Sequence, residues 1–311
     1  MVVAGSRGPS RGNPVVLILA AALVVVAPLG CTDDDRNTRE DVNQGEAEQW
    51  RELGQRLEGS TGFVEALQTE RTAASAWLMG LEDTYTGVSN AQARSATDEA
   101  LSDLDELNAD EPRGAHAAVL GPDALAELGA LRVEVDQYQE PRSLTNAEAA
   151  KGIAARYSTL ISSYRDANET QIVSAIDVPD MREGAELALA ASRQSGRIAE
   201  LVRVLTISTV TRGSLDEPGE VTEVSALWDE ISSDGARISS SENPTYAGVV
   251  DVYFPDELHS DLQPIVDSAL AGDPINIAAL LDVVSVSREQ SYAGLQDQLM
   301  ETLDEKAEAS S

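Results

Sequence analysis

Hydrophobic residues recur along most of the chain at intervals of three or four, the spacing that places side chains on one face of an α-helix. No long segment shows the strict alternation of a half-buried strand, although residues 241–253 could hold a short one. Short clusters of Pro and Gly separate the helical segments, within which Ala, Leu, Glu and Arg dominate. The pattern predicts an all-α protein of long antiparallel helices.

Apolar spacing and candidate caps define eight helices. They are predicted over residues 46–80, 89–108, from 122 onward, 146–175, 180–211, 218–240, 255–270 and 274–308. A Gly-Ser-Thr-Gly sequence at 59–62 leaves open an interruption of the first. The fifth is nearly all apolar between Ile198 and Ile207, which predicts burial on most sides.

The first 30 residues contain two arginines and no acidic residue, and include an apolar run over residues 14–27. This arrangement is typical of a secretory signal peptide. Cys31, the only cysteine, follows Pro-Leu-Gly and precedes an acidic stretch, which resembles the lipobox of bacterial lipoproteins. The resemblance implies cleavage after residue 30, a diacylglycerol on Cys31 and a lipid anchor on the extracytoplasmic face of the cell membrane. An uncleaved anchor and a signal peptide with an incidental Cys are the alternatives.

Residues 31–46 are polar and acidic, which predicts a flexible tether between the lipid and a folded domain at residues 47–308. The formal charge of −32 excludes ordinary nucleic-acid binding, which needs a positive surface. One cysteine and two histidines, His116 and His259, leave little for a metal site. No serine-hydrolase, zinc-protease or phosphate-loop motif is present, so we expect neither an enzyme nor a cofactor.

An arginine interrupts the apolar face of the first helix. Arg71 lies on the midline of the stripe formed by Val64, Leu67, Ala74 and Leu78, about 40° from Leu67 around the helix axis. A guanidinium in that position must reach solvent, pair with a carboxylate or face an anion inside the bundle, because an unpaired buried charge costs several kcal/mol.

Three more arginines show the same conflict. Arg94 lies in line with apolar residues of the second helix, and Arg193 and Arg197 are one turn apart before the most apolar part of the fifth. Converging guanidiniums would form a site for a small planar anion, since each presents a fork that matches two oxygens. The alternative for each arginine is a solvated position or a structural salt bridge. Carboxylates available for such bridges include Glu70, Asp98 and Glu200.

The arginine-containing segments resemble a known family. Residues 67–78, L-Q-T-E-R-T-A-A-S-A-W-L, resemble the first helix of the nitrate- and nitrite-sensing domain family, which typically reads L-Q-x-E-R-G-x-S-x-x-Y-L. Residues 92–101 look like its Q-R-x-x-T-D-x-A-L segment, and residues 188–197 like the run leading to G-R-E-R-A-L-L. The order and spacing of the motifs hold from about residue 50 to 305.

The resemblance implies an all-helical domain of two up-down four-helix bundles whose arginines bind nitrate or nitrite. Arg71 matches the E-R arginine of the family's first helix, and Arg197 matches the first arginine of G-R-E-R. Ile198 replaces the Glu of that motif and Ala199 its second arginine, a loss for which Arg193 or Arg203 could compensate.

Family members carry this domain before a histidine kinase, a methyl-accepting module or an RNA-binding antiterminator. Since the chain ends at residue 311, we expect signalling through a separate membrane partner such as a sensor kinase. The alternative is a structural or protein-interaction lipoprotein that has lost the ligand site. The net charge favours this alternative, although physiological salt screens its repulsion of anions beyond about 8 Å.

Overall fold

The structure of the protein, a computed structural model, describes residues 33–82, 88–109, 120–138, 142–174, 176, 178–253, 257–287 and 293–309. Its helices are α1 (Asp33–Met79), α2 (Asn90–Ala109), α3 (Pro122–Gln137), α4 (Ala147–Ser174), α5 (Pro179–Arg212), α6 (Pro218–Ser239), α7 (Pro244–Tyr253), α8 (Glu257–Leu270), α9 (Ile277–Ser287) and α10 (Ala293–Ala309). These ranges contain no strand, so the all-α prediction is confirmed for them, and α7 occupies the segment considered for a strand.

Contacts divide the chain into two units, Met1–Asp41 and Val42–Ser311, and the cores and ion pairs lie within the second. Helix α1 begins at Asp33, inside the segment predicted as a flexible tether. The positive end of the helix dipole stabilises the three aspartates at its start, and the segment contains no proline that would end the helix. The helix also continues through residues 59–62.

The predicted signal peptide (residues 1–30) and Cys31 lie outside the described residues. The role of residues 31–46 as a tether stays a prediction. Within the described ranges, none of the helices combines the length and apolar character needed to span a bilayer.

The C-terminal part of α1 packs with α2, α3 and α4 around one hydrophobic core. An edge-to-face contact between Phe63 and Tyr164, with ring centroids 4.9 Å apart, lies in this core. The prediction that the apolar stripe of α1 faces the core is confirmed, because the apolar residues of the stripe are all buried. The fully buried side chains of this core include Phe63, Leu67, Leu78, Leu104, Leu131 and Tyr157.

Helix α5 is buried along most of its length and contacts α4, α6, α9 and α10. Its first half shares a core with Trp50, Leu53 and Leu57 of α1 and with leucines of α10. Its second half shares another core with α6, α8 and α9. This central position explains the nearly continuous apolar sequence of α5, since neighbours cover it on several sides.

Proline and glycine define the ends of α5. Pro179 occupies the first turn, where its missing N–H is not needed, and Gly213 ends the helix with a φ of 88°. The observed bounds therefore fall within one residue of the predicted 180–211. At the end of the chain, the single helix predicted over 274–308 is two helices, α9 and α10, and residues 288–292 between them lie outside the described residues.

Candidate anion-binding site

Arg71 is buried where α1, α4 and α5 meet. Its side chain is 3% exposed, its Nη1 lies 2.5 Å from Glu200 Oε2, and it donates to Ser158 Oγ at 3.0 Å. Ser158 Oγ also lies 3.0 Å from Glu200 Oε1. Burial raises the pKa of Glu200, but the charge of Arg71 and hydrogen bonds from Arg203 outweigh this effect, so that the pKa falls below its ordinary value. Glu200 is therefore ionised at neutral pH.

The two predicted arginines of α5 lie on the face that meets α4 and α6. Arg193 pairs with Glu169 of α4, and its Nε lies 3.7 Å from Asp234 Oδ2 of α6. Arg197 pairs with the same Asp234, and its Nε lies 2.8 Å from Glu230 Oε2. These partners are long-range in sequence, so the carboxylates that neutralise α5 come from its neighbours.

Arg165 of α4 is a fourth arginine at this place, and it is the residue that sequence analysis misses. Burial lowers the pKa of Arg165, and the positive charges of Arg197, Arg193 and Arg71 lower it further, to about 10. Among the described residues no carboxylate pairs with its guanidinium, and its buried Nε has no hydrogen-bond partner. We refer to Arg71, Arg165, Arg193 and Arg197 as the arginine cluster.

Gly196 lets α5 approach the cluster closely. A Cβ atom at this position would overlap Gln68 Nε2 and would lie 2.8 Å from Arg165 Nη2. Gln68 is itself buried, with 7% of its surface exposed. The amide of Gln68 and the guanidinium of Arg165 thus both lie beside the α5 backbone at Gly196, where their N–H groups could donate hydrogen bonds to a planar anion.

The signal that could have revealed Arg165 is the one that revealed Arg71. Five residues of α4 recur at helical spacing, and three of them, Ala154, Ile161 and Asn168, are buried; the other two are Ser158 and Arg165. Arg165 therefore lies on the inward face of α4, although that face is less apolar than the stripe around Arg71.

Arg94, the remaining predicted ligand, lies in a different set of contacts. Its Nη1 donates to both oxygens of Asp136 at 2.9 and 3.0 Å, and its Nη2 donates to the carbonyl of Arg132. Arg132 in turn donates to both oxygens of Glu70, at 2.7 and 2.8 Å, and to Asp98 at 2.7 Å. We call these five residues, together with Tyr157, the Glu70 network.

Glu70 is fully buried and accepts a further hydrogen bond from Tyr157 Oη at 2.8 Å. Burial raises the pKa of Glu70, but hydrogen bonds from Arg132 and Thr97 outweigh it and leave the pKa below its ordinary value. Glu70 and Tyr157 immediately precede Arg71 and Ser158 in sequence. Successive residues on α1 and α4 therefore serve two separate sets of charges, the Glu70 network and the arginine cluster.

The histidine that the structure describes takes part in packing. His259 stacks on Trp228 with ring centroids 4.4 Å apart, and its Nε2 lies 2.9 Å from Ser232 Oγ. His116 lies outside the described residues. Within the described ranges no three His, Cys, Asp or Glu side chains are grouped so as to hold a metal ion.

Comparison with known proteins bears on the fold. Neither a protein-family model nor a curated protein sequence matches the chain. A solved structure of the NasR transcription antiterminator matches with a TM-score of 0.63 and 15% sequence identity, over 89% of this chain and 74% of that one. The all-helical fold of this protein is thus similar to that of the NasR antiterminator.

Proposed function

We propose that this protein binds a small planar anion, nitrate or nitrite, in the arginine cluster and acts as a sensor or binding protein. The observation that carries the proposal is Arg165, a half-buried guanidinium that has no carboxylate partner among the described residues and lies beside three other arginines. A monovalent anion would give Arg165 a negatively charged partner and would accept a hydrogen bond from its buried Nε–H.

The likeness to NasR supports the proposal at the level of the fold. An RNA-binding antiterminator is one of the effectors that accompany the domain family resembled in sequence. We further propose that the helices form two up-down four-helix bundles. The core that unites α1, α2, α3 and α4 supports the first bundle, and the packing of α5 with α6, α9 and α10 supports the second.

We also propose that Cys31 carries a lipid, which would hold the protein on the extracytoplasmic face of the cell membrane. The supporting observations are the apolar run over residues 14–27 and the unique cysteine after it. A separate membrane protein, such as a sensor kinase, would then receive the signal.

A structural or protein-interaction role is the second candidate. It is favoured by the carboxylates that already pair with three members of the arginine cluster, namely Glu200, Glu169, Glu230 and Asp234. If these pairs satisfy the cluster fully, the bundle would retain its fold without a ligand.

Isothermal titration of the full chain, purified in non-ionic detergent and chloride-free buffer of low ionic strength, separates the two functions. We expect nitrate or nitrite to bind the wild type and not Arg165→Met. Arg94→Gln is the matched control, because it removes an arginine that lies outside the cluster, and it should bind as the wild type does. Absence of binding to the wild type, or equal binding to Arg165→Met, would contradict the proposal.

A further inference from the structure

Glu200 lies between two arginines of different helices. Its Oε2 is 2.5 Å from Arg71 Nη1 of α1, and its carboxylate accepts from Arg203 Nε at 3.1 Å and Arg203 Nη2 at 2.7 Å. The Glu200 side chain is only 12% exposed. A monovalent anion that approaches Arg71 therefore meets a guanidinium that is already paired with the Glu200 carboxylate.

The two arginine contacts of Glu200 differ in kind. The pair with Arg203 is local, three residues along α5, and uses two hydrogen bonds in the fork geometry that suits a carboxylate. The pair with Arg71 crosses from α5 to α1. Losing the contact with Arg71 would leave Glu200 with Arg203 and with Ser158 Oγ, so its charge would remain compensated.

We propose that Glu200 is a resident counter-ion of Arg71, and that a small anion binds the arginine cluster by displacing it. This inference rests on the proposed function and adds a mechanism to it. On displacement the Glu200 carboxylate shifts to Arg203, whose Nη2 also lies 3.4 Å from Glu223 Oε1 of α6. Anion binding at Arg71 thereby alters an ion pair between α5 and α6, which gives the site a route to another part of the bundle.

The test is nitrate titration of the full chain carrying Glu200→Gln. Removing a competing charge a few ångströms from the ligand should tighten binding by about tenfold or more. Glu134→Gln is the matched control, since it also removes one negative charge from an arginine-paired carboxylate, but at Arg156 and outside the cluster. It should change the affinity by less than about twofold.

Glu200→Asp keeps the charge and shortens its reach, and it serves as a second variant if Glu200→Gln does not fold. It should weaken the contact with Arg71 and tighten nitrate binding to an intermediate degree. Unchanged or weaker nitrate binding in the folded Glu200 variants, with the wild type binding normally, overturns the counter-ion inference alone. Binding by a Glu200 variant and not by the wild type supports the inference and contradicts the proposed function. Absence of binding to every variant overturns both.

Discussion

Replacing Arg165 with Met should stabilise the protein in the absence of an anion, even though it removes a half-buried side chain. The reason is the pKa of Arg165, which burial and the charges of Arg197, Arg193 and Arg71 lower from its ordinary value to about 10. At 1.36 kcal/mol per pKa unit, this displacement corresponds to about 3 kcal/mol as an upper limit on the cost of keeping Arg165 charged. Met retains most of the aliphatic length and removes the charge.

The sign follows from proton binding. Because the folded pKa lies below the unfolded value, the unfolded chain holds the proton more strongly, and the penalty is fully present at every pH below about 10. It is relieved only as the pH rises above about 10 towards the ordinary pKa of arginine. At pH 7 the Arg165→Met variant should therefore gain about 1–3 kcal/mol in free energy of unfolding.

Urea unfolding followed by circular dichroism, in chloride-free buffer with and without nitrate, measures this effect. Nitrate at one hundred times its dissociation constant should stabilise the wild type by about 2.7 kcal/mol and leave Arg165→Met unchanged. Arg156→Met, which removes an exposed arginine paired with Glu127 and Glu134, is the control and should lose less than about 1 kcal/mol. The reasoning is refuted if anion-free Arg165→Met is less stable than the wild type, or if nitrate stabilises both equally.

Four further outcomes are expected. Gly196→Ala should be less stable in urea unfolding than Gly129→Ala, because its Cβ would displace the ends of the Gln68 and Arg165 side chains, whereas Gly129→Ala, with open space around it, should stabilise by up to about 1 kcal/mol. The Glu70 carboxylate contributes stability at pH values above its unfolded pKa of about 4.5, and this stability is lost as the pH falls through the lower folded pKa. The difference in free energy of unfolding between the wild type and Glu70→Gln should therefore shrink on acidification from pH 6 to below 4. Cys31→Ala should release the chain from the membrane fraction and abolish metabolic labelling with a fatty acid. Nitrate affinity should hold or rise as sodium gluconate is added, because salt screens the net charge of −32 more than the buried cluster; a steep decline would indicate a surface site.

The helices could be predicted well from sequence because local signals define them. The bounds of α5 and α6 agree with prediction within one residue, since Pro179 and Pro218 stand in their first turns. The start of α1 could not be predicted from sequence, because a run of acidic and other polar residues is compatible with both a tether and an exposed helix.

The site was predicted only in part, because the partners of an arginine are set by packing. Arg71 and Arg94 both interrupt apolar stripes, yet Arg71 meets Glu200 and Arg94 meets Asp136. Those carboxylates are far away in sequence, and no helical spacing connects them to their arginines. Arg165 could have been recognised from its stripe on α4, but the lack of a carboxylate beside it becomes visible only in three dimensions.

The two sets of charges differ in how completely their arginines are paired with carboxylates. In the Glu70 network the fully buried carboxylate receives three hydrogen bonds from Arg132 and Tyr157, so the charge is matched and a ligand would have to break favourable contacts. In the arginine cluster, burial and then the neighbouring guanidiniums lower the pKa of Arg165, and Arg165 is the member that no carboxylate pairs with among the described residues. A matched network stabilises one arrangement of helices, whereas under the proposed function a guanidinium without a carboxylate is the group that an incoming anion would stabilise. Because α1 and α4 contribute neighbouring residues to both sets, the first can hold these helices in place while the second changes its contacts.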